Sequence, residues 1–446
     1  MKSGLRWLLV ASAALAVSLV TTVAAVAETT VTVAYWPGPE SDAMQQVVNW
    51  WNANKAAQEG FRVRLLTFTR QDYFTREMTA LAAASTEFDV AFTTTYIVGE
   101  MAPYLEPLDN HFERLGASDN LKVYIPSSLD SLRFNGKLYG IPTDVSNHFL
   151  YYRKDLIQRL VSDRIWQQRY REISQKYLGK ALEPKQPSEW GIDDYVAASL
   201  FFTQSINPDS PTQYGTVLQL KNLIFNVMVW NDLLWGAGGK WLENGEPALT
   251  SPAAVKALDA YGIIIRNRAT PPDSLNYEFA EANAAFGSGR VATMVQWSAA
   301  YHQLTDKRSF PGLSDKVALG PVPGNPHATH VHSLGLGINA ASPRKEQAAR
   351  FLAFLASRQA MELYAKSGGL PPVSAVLSGM ANTRPEFPLV AEHVEKYGYV
   401  EHTGPETRAI LQALADHLSA AWAGKVGTTE ALKRANEAVH EILRKK

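Results

Sequence analysis

Cysteine is absent from all 446 residues. Its absence excludes disulfides, thiolate chemistry and Cys-ligated zinc, and leaves no cysteine to carry a lipid anchor after a leader. Charge of one sign is missing too, with 43 Lys+Arg against 43 Asp+Glu. Without a basic field to hold a phosphate backbone, nucleic acid is not an expected partner. Past the first 27 residues no apolar run is long enough to span a bilayer. There is no phosphate-cradling loop, nucleophile elbow or dinucleotide fingerprint; the GLG at Gly335–Gly337 lies inside a strand-like run. Internal repeats and low-complexity linkers are also missing.

What is present reads as a large globular chain. Its length calls for two or three domains, and 46% hydrophobic with 19% charged residues are globular values. Aromatic residues make up 10%, eleven of them Trp, a rich supply of stacking surfaces. Residues 1–27 read as a secretory signal. Lys2 and Arg6 form a charged start, Trp7–Val20 an apolar stretch, and Ala25-Val26-Ala27 a small-residue cleavage site. The mature chain is therefore expected to begin at Glu28, unlipidated and in a periplasm, with 41 basic against 43 acidic residues.

Along the chain, Thr30–Tyr35 alternates as a first strand and stops at Trp36-Pro37-Gly38-Pro39. Asp42–Lys55 has helical spacing, Phe61–Phe68 is a second strand, Tyr73–Ala84 a second helix and Phe88–Phe92 a third strand. This β-α-β-α-β order predicts an α/β fold with a parallel sheet covered by helices on both faces. Polar and aromatic loops then gather at one sheet edge, where open α/β sheets bind ligands. Later, FGSGRVATMVQWSAAYHQ (286–303) reads as a helix end, a buried strand and a polar turn at Gln296-Trp297-Ser298, with Ser298 as cap of the next helix.

Several side chains have chemistry suited to a small solute. Trp36 cannot sit mid-strand before Pro-Gly-Pro, so it belongs at a strand end. Trp235 lies beside the turn Gly236–Gly239, and Trp297 closes its strand. Asp72 and Asp144 are candidate acceptors for solute hydroxyls, because carboxylates accept strong hydrogen bonds. Glu40, Asp42, Asp72 and Asp144 could supply a glycosidase pair only if two of them flanked one bond. His327, His330 and His332 cluster in HATHVH, but their spacing fits no recognised metal site, so neither metal nor cofactor is expected. A single pocket-lining histidine, His332, is the expectation.

Together these segments resemble the periplasmic solute-binding proteins of ABC importers, in the group that includes maltose-binding protein. The resemblance rests on FDVAFTTTYIVGEMAPYLEPLD (88–109), NGKLYGIPTDVSNHFLYYRKDLI (135–157), PSEWGIDDY (187–195) and GAGGKWLENGEPALTSPAAVKALDAY (236–261). FGSGRVATMVQW (286–297), SLGLGINAASPRKEQAARFLAFL (333–355) and GGLPP (368–372) continue it in the same order. It implies two α/β lobes of the type II periplasmic-binding-protein fold, joined by hinge strands and closing on one ligand. The lobes implied are 28–143 with 297–334, and 150–289 with 340–446. The crossings implied lie near 144–151, 290–296 and 334–339. It also implies that Trp297 stacks on the ligand, and that Thr94, Thr95, Tyr96, Trp36 and Glu40 contact it. Asn147, from the polar run Asp144–His148, and Gly369, from GGLPP, complete the expected set. Thr93-Thr94-Thr95 stands where many relatives carry an aspartate or tryptophan, and 157–187 is longer and more charged than usual.

The expectation is a non-catalytic, monomeric receptor that captures a neutral carbohydrate or polyol and passes it to an ABC-transporter permease. Aromatic faces suit the C–H faces of a sugar, and short polar side chains suit its hydroxyls. A phosphorylated polyol such as glycerol phosphate, with Arg70 or Arg76 as its partner, and a secreted glycosidase are the alternatives.

Overall fold

The computed structural model describes residues 29–69 and 73–445, so the expected signal 1–27, Arg70 and Asp72 lie outside the described residues. In chain order the strands of interest begin with β1 (Thr29–Ala34), β2 (Phe61–Leu66), β3 (Val90–Thr94), β4 (Leu105–Glu106) and β5 (Ile141–Ser146). Next come β6 (His148–Arg153), β7 (Tyr214–Val217), β8 (Val291–Trp297) and β9 (Val317–Gly320). The last are β10 (Thr329–His330), β11 (His332–Asn339) and β12 (Gly398–Tyr399).

The first sheet runs β2-β1-β3-β11-β4, with β5 on β11. Its leading part follows the sequence pattern. β1 pairs in parallel with β2 from Thr29–Phe61 to Ala34–Leu66, and with β3 at Val33–Val90. The helices Pro39–Asn54 and Tyr73–Ala82 supply the crossovers. In β2 the period-two alternation buries Phe61 and Val63 and turns Arg62 and Arg64 outward. Trp51 carries the first helix onto this layer, ringed by Phe61, Phe351 and Phe354.

β11 comes from far along the chain and runs antiparallel to β3, β4 and β5. Its glycines have a steric cause. A Cβ on Gly337 would lie 2.3 Å from the Tyr139 carbonyl oxygen, and one on Gly335 2.3 Å from Leu132 Cδ1. The neighbouring chain can lie this close only to a strand without side chains at those positions. Past its far end, the Arg344 guanidinium donates to both oxygens of buried Asp89 at 3.0 Å, and Asp89 Oδ2 accepts from the Thr32 amide at 2.8 Å. The late strand is thereby tied to the start of the sheet.

The second sheet runs β9-β6-β8-β7. The helix Ile224–Gly236 is largely apolar, with Asn226, Asn231 and Asp232 as its polar residues, and is buried almost throughout, as expected of an interior helix. No helix among the described residues is long and apolar enough to cross a membrane.

Helices and two mixed sheets give the α/β class expected, but the crossings differ in place. The chain changes sheets at Asn147, between β5 and β6, inside the expected crossing 144–151. The segment 290–296 is not a crossing, because β8 is paired on both edges, by β6 and β7. Nor is 334–339, which lies within β11 inside the first sheet. β9 pairs with β6, so 317–320 belongs to the second sheet and not the first. Helices Lys345–Leu355 and Arg358–Lys366 pack on β11 and on Pro39–Asn54, which puts 345–366 with the first sheet and not the second. These corrections share one cause: strands recruited from distant sequence by hydrogen-bond register leave no local signal of which sheet they join.

Candidate functional site

The sheets meet around Asn147, and side chains from both converge there. Register sets Trp297, the last residue of β8, opposite His148, the first of β6. Their rings lie edge to face at 4.0 Å. The Tyr151 hydroxyl donates to the Trp297 carbonyl at 2.8 Å, and the Trp297 amide donates to Gln296 Oε1 at 3.0 Å, so the strand end is held while the half-buried indole stays partly open. Ser298 does not cap the next helix, which is Ala300–Thr305. Its amide donates to the Asn147 carbonyl at 2.8 Å instead, tying strand end to crossing.

A continuous series of rings runs from Trp297. His332 lies edge-on to the indole at 5.5 Å and stacks on Tyr96 at 5.5 Å. His330 lies edge-on to Trp297 at 5.8 Å and stacks on Trp235 at 5.9 Å. Trp235 stacks in turn on Tyr399 at 4.3 Å. His330 and His332 share a side because they are two residues apart in extended chain. Trp36 packs against Tyr73, Phe74 and Phe92, and Phe74 in turn meets Tyr96.

Polar groups on these elements divide into committed and unpartnered. Asp232, fully buried, accepts from His148 Nδ1 at 2.7 Å and from the His330 amide at 2.8 Å. By contrast His148 Nε2, both ring nitrogens of His330, His332 Nδ1, Asn147 Oδ1 and both oxygens of Glu401 are buried without a hydrogen-bond partner. Burial, with His148 nearby, holds the His330 and His332 imidazoles well below the usual histidine range, so both are neutral near pH 7. A neutral imidazole offers one donor and one acceptor. Burial also pushes the Glu401 carboxyl up to about 8, with Asp232 adding to the effect.

The remaining expected residues are placed as follows. Thr94 is buried against the Tyr96 phenol. The Thr95 hydroxyl is spent on backbone, donating to the Val331 carbonyl at 3.3 Å and accepting from the Ser333 amide at 2.9 Å. Asp144 Oδ2 accepts from the Leu370 amide at 2.7 Å and the Tyr364 hydroxyl at 3.0 Å. Burial, with Glu40 as a lesser contributor, pushes that carboxyl up to about 7. Glu40, half-buried at the start of its helix, has Oε2 unpartnered. Gly369 is required by Tyr364, since a Cβ there would lie 2.0 Å from that ring. His327 is drawn away from its neighbours in sequence, its ring nitrogens facing the Val322 carbonyl at 2.9 Å and the Ser188 carbonyl at 3.0 Å. Among the described residues no three His, Asp or Glu are arranged to hold a metal ion.

His148, Asp232, Tyr399 and Glu401 were not expected at the site. His148 could have been found from the quoted segment 135–157, as the residue after Asn147. Asp232 sits on a buried, largely apolar helix, where a carboxylate needs a partner, and that is a usable signal. Tyr399 and Glu401 lie in a short stretch without periodicity.

Similarity to known proteins points one way. A mannitol-binding protein of Pseudomonas aeruginosa is 26% identical over 359 residues, 75% of each chain. Among solved structures, a maltose-bound MalE3 from T. maritima superposes with a TM-score of 0.72 at 22% identity, covering 92% of this chain and 99% of that one. A solute-binding protein from Agrobacterium radiobacter K84 in complex with ribitol gives 0.71 at 21%, covering 92% and 97%. Both share the two-lobe fold. The family model of bacterial extracellular solute-binding proteins matches residues 49–388, and the chain belongs to that family.

Proposed function

We propose that this protein is the substrate-binding subunit of an ABC importer, taking up a carbohydrate or polyol by closing two lobes around the residues near Asn147. One observation carries the reading: a run of aromatic and imidazole rings interleaved with buried polar atoms that have no partner. Leaving a buried polar atom unsatisfied costs about 1–3 kcal/mol, so a cluster of them on stacking surfaces is suited to a polyhydroxylated solute that satisfies them. Trp297, Tyr96 and Trp235 are its ring surfaces. Asn147, His148, His330, His332 and Thr94 are its hydroxyl partners, with Glu40 and Asp144 at the first-lobe margin. The relatives named for mannitol, maltose and ribitol support the same solute class.

In this reading the first lobe is built on β1–β5 and β11, and the second on β6–β9. The chain crosses at Asn147, again between Gly320 and His332, and a third time between Lys366 and Thr407. Ligand-stabilised closure about these crossings presents the closed form to a membrane permease. The protein is exported, works as a monomer and returns its solute unchanged. A glycosidase is disfavoured because Asp144 is occupied by Tyr364 and Leu370. A phosphorylated polyol is disfavoured because buried carboxylates face the rings, while Arg76 lies over Phe68 and beside Glu87. A thermal-shift screen over sugars, polyols and their phosphates tests this: stabilisation by a sugar or polyol with the compound recovered intact is expected, and turnover, or stabilisation by phosphates alone, overturns it.

A further inference from the structure

Glu401 differs from every other carboxylate near the cleft. It is 5% exposed, and neither oxygen has a partner. Asp232 has an imidazole and a backbone amide, and Asp144 has a phenol and a backbone amide. Among the described residues, the charged group that acts on Glu401 is a second carboxylate, Asp232. Arg408, which acts on Tyr96, is held at the surface by Glu100 through bonds of 3.0 and 2.8 Å.

Its position follows from the backbone. β12 runs parallel to β10, with Gly398 beside Thr329 and Tyr399 beside His330, and the Val331 amide donates to the Tyr399 carbonyl at 3.1 Å. The pairing ends at Tyr399, and Glu401 follows two residues later, just past the strand end. Tyr399, two residues before Glu401, stacks on Trp235 at 4.3 Å, and Tyr96 stacks on His332 at 5.5 Å. A buried carboxyl without donors keeps its proton until a cation arrives, and it can then release that proton to solvent and pair with the cation. Aromatic faces attract a cation as a carboxylate does, and a buried charge is tolerated when it is paired.

Building on the solute class proposed above, we propose that the solute carries a protonated amine, an amino sugar or amino polyol, with its ammonium seated on Glu401 among the Tyr96, Tyr399 and Trp235 rings. Its hydroxyls go to the imidazoles and Asn147. A neutral polyol can give Glu401 only a hydroxyl hydrogen bond, whereas an ammonium gives it a charge-assisted one and also meets the rings.

The test is calorimetric titration of the wild-type chain and Glu401→Gln with matched pairs that differ by one amine. The pairs are D-glucosamine and D-glucose, D-galactosamine and D-galactose, and 1-amino-1-deoxy-D-glucitol and D-glucitol, with D-mannitol, ribitol and maltose alongside. For at least one pair we expect the amine to bind wild type at least tenfold more tightly, and Glu401→Gln to remove that preference while the hydroxyl compound changes less than threefold. If the hydroxyl members bind as well as the amines, or only mannitol, ribitol or maltose binds, the amine is overturned and the carbohydrate or polyol reading stands. If nothing in the panel binds, both are overturned. Should Glu401→Gln fail to fold, the pairwise preference of wild type alone decides.

Discussion

Of the three buried carboxylates near the candidate site, Asp144 and Glu401 are treated in opposite ways, while Asp232 is paired with His148. Asp144 receives two donors on one oxygen, from the Leu370 amide and the Tyr364 hydroxyl, and so fastens the Gly368–Leu370 turn to β5. Glu401 receives none. Both are pushed upward by burial, to about 7 and about 8. Burial alone therefore does not separate a structural carboxylate from one awaiting a ligand; the presence or absence of donors does. The two should respond differently to substitution.

The largest effect is expected at Asp144. Asp144→Ala strips the acceptor from a buried amide and a buried hydroxyl and opens a small cavity, and should cost about 2–4 kcal/mol of stability in urea unfolding. If Asp144→Ala is as stable as wild type, that carboxylate is not the structural one and the contrast fails. Next is Trp297→Ala, which should weaken solute binding at least tenfold, about 1.4 kcal/mol, with the circular dichroism spectrum unchanged. The indole packs on His148 and the cleft imidazoles rather than in a lobe core, so binding is what should be lost. An unchanged Kd removes Trp297 from the site.

Much of this was legible in the sequence, for physical reasons. β1, β2 and the helices between them announce themselves through periodicity, and Trp297 through an apolar run that ends in a polar turn. Other parts could not be read locally. The bond between His148 and Asp232 spans 84 positions, and nothing near either residue calls for the other. β11 reads as a strand, yet its place inside the first sheet depends on partners 190 and 240 residues earlier, at Asp144 and Thr94. Of the three histidines clustered in HATHVH, His327 leaves for two carbonyls, while His330 lies beside His332 and His148. Glu401 had no local signature, since its meaning lies in the donors it lacks.

A smaller effect separates the carboxylates by pH. A carboxyl whose folded pKa is raised holds its proton in the folded state while the unfolded chain has lost it. Stability then falls as pH rises from the unfolded value, about 4.5 for Glu401, to the folded one, about 8. The depressed histidines His330, His332 and His393 act in the opposite direction, but their contribution is complete above their ordinary value of 6.5. Between pH 6.5 and 8 the ligand-free protein should therefore lose stability. Glu401→Gln should remove on the order of 1 kcal/mol of that loss, leaving the slope of the other upward-shifted buried carboxyls, Asp144, Asp232 and Glu77. Melting temperatures of wild type and variant at the two pH values measure it, and parallel curves would show that Glu401 is ionised before any ligand arrives.

The smallest effect belongs to His327, and it tests whether proximity in sequence or convergence in space defines the site. Its ring nitrogens face the carbonyls of Val322 and Ser188, and its ring lies edge-on to Tyr397 at 5.3 Å, away from Trp297. His330, three residues on, has both nitrogens unpartnered among the cleft rings. His327→Ala should leave solute affinity within twofold and cost under about 1 kcal/mol, the worth of one partly exposed hydrogen bond. His330→Ala should weaken binding several-fold more if the proposed site is right, because its two unpartnered ring nitrogens are removed from among the rings. Equal losses from the two substitutions would mean that the loop acts as a unit, and that the separation of His327 from the cleft has no bearing on binding.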